Sequence, residues 1–296
     1  MKRDRNSEGE TATHLFAIGT LVLCGFVLSV FFEKITAPRR SASIIPTHPE
    51  PAFQAPAAPK TTVAIQPLLV TEFPPLPDFT AYDSVEERKA AFIDYLVPII
   101  EYQNFRILRE RSRLETFSKK LVSGEGLSES DRSRLRTLAL RYDVAWDEEA
   151  LPEVIGELAR RVDIIPVSLA VVQAAKESSW GRSRYAVEIN NLFGQWCFEP
   201  GCGVVPGARD EGAVHEVQQF DSVYEAARSY IHNLNTHPRY ETLRKIRQYL
   251  RIHDLPITGE ALAEGLQYYS ERRQAYVEEV KDMIRQFHRF QERRTG

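Results

Sequence analysis

The stretch Val167–Trp196 reads VSLAVVQAAKESSWGRSRYAVEINNLFGQW. Its first eleven residues are small or apolar almost all round, and a helix without a broad polar face is a central, buried one. Pro166 opens that helix, where a missing N–H costs nothing. Glu177 falls near its C-terminal end. Burial and the negative helix end both resist ionisation of a carboxylate there. Both raise its pKa, as a general acid working near neutrality requires. Trp, Tyr, two Asn and Phe follow within about a dozen residues, more polar and aromatic groups than a helix end needs merely to stop.

Upstream, Ser84 and Glu87 form a capping box, and Phe92, Leu96, Ile99 and Ile100 recur at helical spacing. Pro98 should end or kink this helix. Shorter helices fit Glu129–Tyr142 and Pro152–Val162. Downstream, residues 195–220 hold glycines, prolines and the alternating AVHEVQQF, which reads as a short strand or hairpin. Ser222 and Glu225 form a second capping box before YEAARSYIHNLNTH. HPRYETLRKIRQYL, GEALAEGLQYY and RQAYVEEVKDMIRQFHRF continue helical. The expected fold is mainly α with one small β element and no internal repeat.

The chain has 296 residues, 43% hydrophobic and 27% charged, enough for one globular domain with length to spare. A net charge of -3 and a pI near 6.2 argue against a nucleic-acid partner. Phosphate loops, dinucleotide fingerprints and CxxC pairs are missing. His232 and His237 lack a ligand pattern around them, so no metal and no cofactor is expected.

LFAIGTLVLCGFVLSVFF, residues 15–32, is uncharged and about the minimum length for a hydrocarbon core. Phe31, Phe32, Glu33 and Lys34 make a poor cleavage site, so the segment reads as an uncleaved single-pass anchor. Lys2, Arg3 and Arg5 before it are balanced by Lys34, Arg39 and Arg40 after it. Cys197 and Cys202 lie in WCFEPGCG, where Pro200–Gly201 can turn the chain enough to join them; a disulfide would fit an oxidising compartment. Pro-, Ala- and Thr-rich chain follows the anchor to about Pro77 and would act as a semi-rigid spacer.

The array AAKESSWGRSRYAVEINNLFG resembles the bacterial glucosaminidase family (glycoside hydrolase family 73): an alanine-rich helix, Glu-Ser, Trp-Gly, Ser, Ala, then Asn-Asn-Leu-Phe-Gly. FDSVYEAARSYIHNLNTHPRY is similar to the helix pair that follows in that family, and GQWCFEPGCGVVP to an insertion of its Bax-type branch in Gram-negative bacteria. The resemblance covers about residues 165–285. It implies a lysozyme-like helical domain with a small β-hairpin lobe that cleaves β-1,4 bonds after N-acetylglucosamine in the glycan strands of peptidoglycan.

On that resemblance Glu177 matches the catalytic acid. A second group is normally needed opposite it, with Glu199, Asp210, Glu211 and Glu216 as candidates. Glu216, in the β element, is favoured. The alternative is the substrate's own N-acetyl oxygen, oriented by a hydroxyl. Tyr269 resembles a tyrosine near the acid, although YSERRQAY departs from the family's Tyr-x-x-Asp-Pro-x-Tyr and leaves Tyr268 as a rival match. Asn190, Asn191, Phe193 and Gly194 are placed to line the sugar cleft, with Tyr240 and Tyr230 supporting it and Trp180 packing beneath the helix end.

The expected organisation is a cytoplasmic tail (1–14), a transmembrane anchor (15–32), a linker (33–80), a helical N-terminal part of the domain (81–164) and the catalytic domain (165–290). The expected location is the inner membrane, with the catalytic domain in the periplasm. A lytic transglycosylase or muramidase of the same fold, and a non-catalytic wall-binding scaffold, are the competing expectations.

Overall fold

The computed structural model describes residues 73–207 and 212–296. The expected anchor, most of the linker, and the candidates Asp210 and Glu211 lie outside the described residues. Among the described residues no helix is long and apolar enough to cross a membrane.

Helix α1 runs Val85–Val122, and Ser84 caps it by accepting from Glu87 N at 3.0 Å. It does not end at Pro98, which lies inside it. Proline removes one helical hydrogen bond, typically ~3 kcal/mol. Against that, Phe92, Ile93, Leu96, Ile99 and Ile100 are all buried on both sides of Pro98, at roughly 1.5–3 kcal/mol each. The packing outweighs the break.

Helices α2 (Glu129–Arg141) and α3 (Leu151–Arg161) follow within a residue of their expected limits. Helix α4, Val167–Glu177, is the centre of the domain: every residue from Ser168 to Ala175 is buried, and α1 and the last helix pack against it. Short α5 (Arg184–Ile189) leads into a three-stranded antiparallel sheet, β1 (Trp196–Cys197), β2 (Gly203–Val204) and β3 (Glu216–Gln218), with β3 in the middle. Trp196 pairs with Val217, and Gly203 with Gln218. Only glycine fits at 203, because a Cβ there would stand 2.0 Å from Val217 O.

Helix α6 (Val223–Thr236) starts at the Ser222–Glu225 cap. Helices α7 (Glu241–Ile252), α8 (Gly259–Ala263) and α9 (Gln274–Thr295) complete the chain. The architecture is therefore mainly helical with one small sheet, as expected of a lysozyme-like domain.

The packed region reaches back into the expected linker. Phe79 is 1% exposed and meets Phe92 edge-on, and Phe73 stacks on Tyr224. In FPPLPDF the prolines keep the chain extended, but Phe73, Leu76 and Phe79 are spaced by three, the period of polyproline chain. That spacing brings all three against the core.

Candidate active site

The chain leaves α4 through three consecutive left-handed residues, Ser179, Trp180 and Gly181 (φ 52, 61 and 76°). Such conformations cost side-chain-bearing residues about 1–2 kcal/mol each, so the surroundings must enforce them. The buried Ser178 hydroxyl donates to Ala174 O at 2.6 Å and accepts from Gly181 N at 2.8 Å. Trp180 meets Phe92 edge-on with Lys89 over its ring, so it packs beneath the helix end. A Cβ on Gly181 would lie 2.4 Å from the Phe79 ring. The Glu-Ser-Ser-Trp-Gly run thus stops α4 sharply and holds Glu177 on its last turn.

Glu177 meets a relay of buried polar groups. Tyr276, on α9, donates to Glu177 Oε1 at 2.9 Å. Gln173, one turn before Glu177, donates to the Tyr276 hydroxyl at 3.0 Å and accepts from the Tyr230 hydroxyl at 2.6 Å. Burial raises the Glu177 pKa, opposed by the Tyr276 hydrogen bond and the Lys176 ammonium. Lys176 is itself held by Glu279 at 2.6 Å. Burial also raises the pKa values of Tyr230, Tyr276 and Tyr269 and lifts Tyr240 to about 12. These phenols therefore stay neutral. Because Tyr276 occupies Oε1, the acid proton of Glu177 belongs on Oε2. A Cβ at Gly194 would stand 3.5 Å from that oxygen.

Gly194 lines a cleft of about 790 Å3 together with Phe193, Tyr240 and Tyr269, the β1 residue Trp196 and the exposed Phe198. The Glu177 side chain adjoins Gly194 at the edge of this lining. Arg161, Arg239 and Asp143 also line the cleft. Phe193 is buried and stacks on Tyr230 with ring centroids 4.1 Å apart. The Tyr269 hydroxyl donates to Phe193 O at 2.7 Å, and its ring stacks on Tyr276. Tyr268 is 55% exposed, so Tyr269 is the inward tyrosine of the pair.

The two asparagines are not among the residues lining the cleft and instead brace the loop that carries Phe193 and Gly194. Asn190 takes the left-handed cap of α5 (φ 57°) and donates to Phe220 O at 2.9 Å. Asn191 is 2% exposed. Its amide donates to Gln195 O and Gln218 O and accepts from Gln195 N, so it ties the loop to β3.

Glu216, also buried, accepts from Gly201 N at 3.1 Å and Gly203 N at 2.9 Å. Cys197 and Cys202 are joined by a disulfide across the same turn. Their sulfurs and a Glu216 oxygen lie within 4.8 Å of one another, but bonded sulfurs have no thiolate to offer a metal.

Sequence reasoning passed over Tyr276, which bonds Glu177 directly, and Gln173, which bonds Tyr276 in turn. The signals were present: Tyr276 is the second tyrosine of YSERRQAY, and Gln173 is four residues before Glu177 on an otherwise apolar helix.

A family model described as glucosaminidase, mannosyl-glycoprotein endo-beta-N-acetylglucosaminidase, matches residues 153–289. The chain is also similar to "Protein bax" of Escherichia coli (strain K12), with 39% identity over 201 residues, 68% of this chain and 70% of that protein. No solved structure matches it.

Proposed function

The chain belongs to the Bax-type branch of the glucosaminidase family, and from that premise we propose that it is a peptidoglycan hydrolase cleaving β-1,4 bonds after N-acetylglucosamine. The observation that carries the proposal is the setting of Glu177: a carboxyl whose pKa is raised by burial, with Oε1 occupied by Tyr276 and Oε2 toward Gly194 in the wall of the cleft.

In this reading Glu177 protonates the leaving oxygen of the glycosidic bond from Oε2, and the resulting carboxylate is stabilised by Tyr276. Tyr269 fixes Phe193–Gly194 against the acid through its bond to Phe193 O. Trp196, Phe198, Tyr240 and Tyr269 give the cleft an aromatic lining suited to acetamido sugars. Glu216 has its oxygens on the amides of Gly201 and Gly203. That supports a first role in holding the β lobe beside the cleft, with the substrate's N-acetyl oxygen attacking the anomeric carbon. A catalytic role for Glu216 would require it to give up those bonds.

The test is mass spectrometry of sacculi digested by the wild type and Glu177→Gln side by side. Reducing N-acetylglucosamine ends from the wild type alone are expected. Anhydromuramic ends would instead identify a lytic transglycosylase, and binding without any cleavage a scaffold.

We also propose that residues 15–32 anchor the chain in the inner membrane with the domain in the periplasm. The Cys197–Cys202 disulfide supports an oxidising side. Alkaline phosphatase fused at the C-terminus should be active; an inactive fusion beside an active cytoplasmic reporter would reverse the topology.

A further inference from the structure

A second cavity, of about 530 Å3, adjoins the cleft, and the two share Ser229 and His232 of α6 as a common wall. Arg106, Arg141 and Arg228 line it against the single carboxylate of Glu110. On a chain of net charge -3, this is a local cationic surface that the overall composition does not produce.

The three arginines differ in what they already hold. Arg141 pairs with Glu110, and Arg228 with Glu225 outside the cavity. Arg106 donates to the Tyr224 hydroxyl and makes no ion pair among the described residues. A guanidinium keeps its full charge and presents several donors in a plane, the geometry that a carboxylate accepts in paired bonds.

We propose that this cavity binds the peptide stem carried by the glycan, through the stem's free carboxylates, with Arg106 and Arg228 as the pairing groups. The proposal rests on the glycan-cleavage reading above. Stems hang from alternate sugars of peptidoglycan, so a strand lying in the cleft projects them sideways across its walls. The wall made by Ser229 and His232 is the one with an arginine-lined hollow behind it. A strand without stems has nothing to place there. The cavity would thus make the enzyme prefer stem-bearing glycan, with the gain in binding rather than in the chemical step.

The test is fluorescence anisotropy with the full chain carrying Glu177→Gln, so that turnover is slowed beyond the time of the measurement. Soluble glycan oligomers bearing stems are compared with the same oligomers after the stems have been removed. Stem-bearing oligomers should bind roughly tenfold more tightly, as one or two charge-assisted pairs allow, and the difference should shrink as salt rises. Adding Arg106→Ala and Arg228→Ala should bring the two ligands within about twofold, with stem-free binding and the melting temperature unchanged. If that double change also lowers stem-free binding, Arg228→Ala alone carries the test, since that side chain is 58% exposed. It should then reduce the preference about threefold. Equal binding of both oligomers, or a preference that survives the arginine changes, overturns the proposal. Cleavage of stem-free glycan by the wild type is scored separately, so that a failed hydrolase reading is not confused with a failed stem site.

Discussion

Tyr276 and Glu177, ninety-nine residues apart, meet hydroxyl to carboxyl at 2.9 Å, and this makes the two oxygens of the acid inequivalent. Oε1 is fixed as an acceptor, while Oε2 near Gly194 is left to carry the proton. A lone buried carboxyl would have no such preference.

Removing the acid tests both the chemistry and its energetic cost. Glu177→Gln should reduce glycan cleavage by about 10²–10⁴-fold. It should also raise stability at neutral pH. The Glu177 pKa is raised in the folded chain, so its contribution is complete below the ordinary glutamate range and is lost as pH rises through the folded value. Thermal melts over a pH series should show the variant more stable than the wild type near neutrality, with the gap closing in acid. A variant that is less stable at neutral pH would mean that the contacts of Glu177 outweigh its burial.

Tyr276→Phe removes the bond that favours the ionised acid and leaves Gln173 Nε2 without its acceptor. The Glu177 pKa should rise further, moving the alkaline limb of the kcat/KM profile to higher pH. Stability should fall by about 1–3 kcal/mol, the cost of a buried polar group without a partner. An unmoved alkaline limb would show that another group sets it.

Gly194 is left-handed (φ 64°) with room for a methyl only at 3.5 Å from Glu177 Oε2. Gly194→Ala should cost about 1–2 kcal/mol of backbone strain. Its effect on activity should be larger, roughly tenfold or more in kcat/KM, because the methyl occupies space the glycosidic oxygen needs at about 2.6–3.2 Å. Calorimetry and steady-state kinetics separate the two effects; a loss of stability with kinetics intact would place the reacting bond elsewhere.

The β lobe is held by the Cys197–Cys202 disulfide and by Glu216 on the Gly201 and Gly203 amides. Replacing both cysteines by serine opens a loop of sequence separation 5, with an expected cost of about 2 kcal/mol from loop entropy. Glu216→Gln should make the same lobe more sensitive to protease and lower activity in parallel. A fall of about 100-fold or more with an unchanged lobe would instead make Glu216 the second catalytic carboxylate.

Much of the framework follows from local rules. The capping serines at 84 and 222 start their helices as their sequences require, because a hydroxyl and an amide three residues on satisfy each other without help from the rest of the chain. The all-round apolar character of Val167–Ala175 makes α4 central for a similar reason: it has no face to give to water. Pro98 was legible only as a penalty. The burial that overrides it comes from α3, α4 and α6, which are distant in sequence.

The sequence by itself determined the buried central helix, the glutamate at its end, the aromatic and amide-rich run that follows, and, through resemblance, the family. The fold decided how these groups are used. It turned Asn191 to hold the loop against β3, Tyr269 inward and Tyr268 outward, and brought Tyr276 and Tyr230 into the hydrogen-bond relay of Glu177 from helices about fifty to a hundred residues downstream. The physical reason is range. Caps, turns and helical burial are set within a few residues, whereas a proton's position on a carboxyl depends on donors that only packing brings within 3 Å.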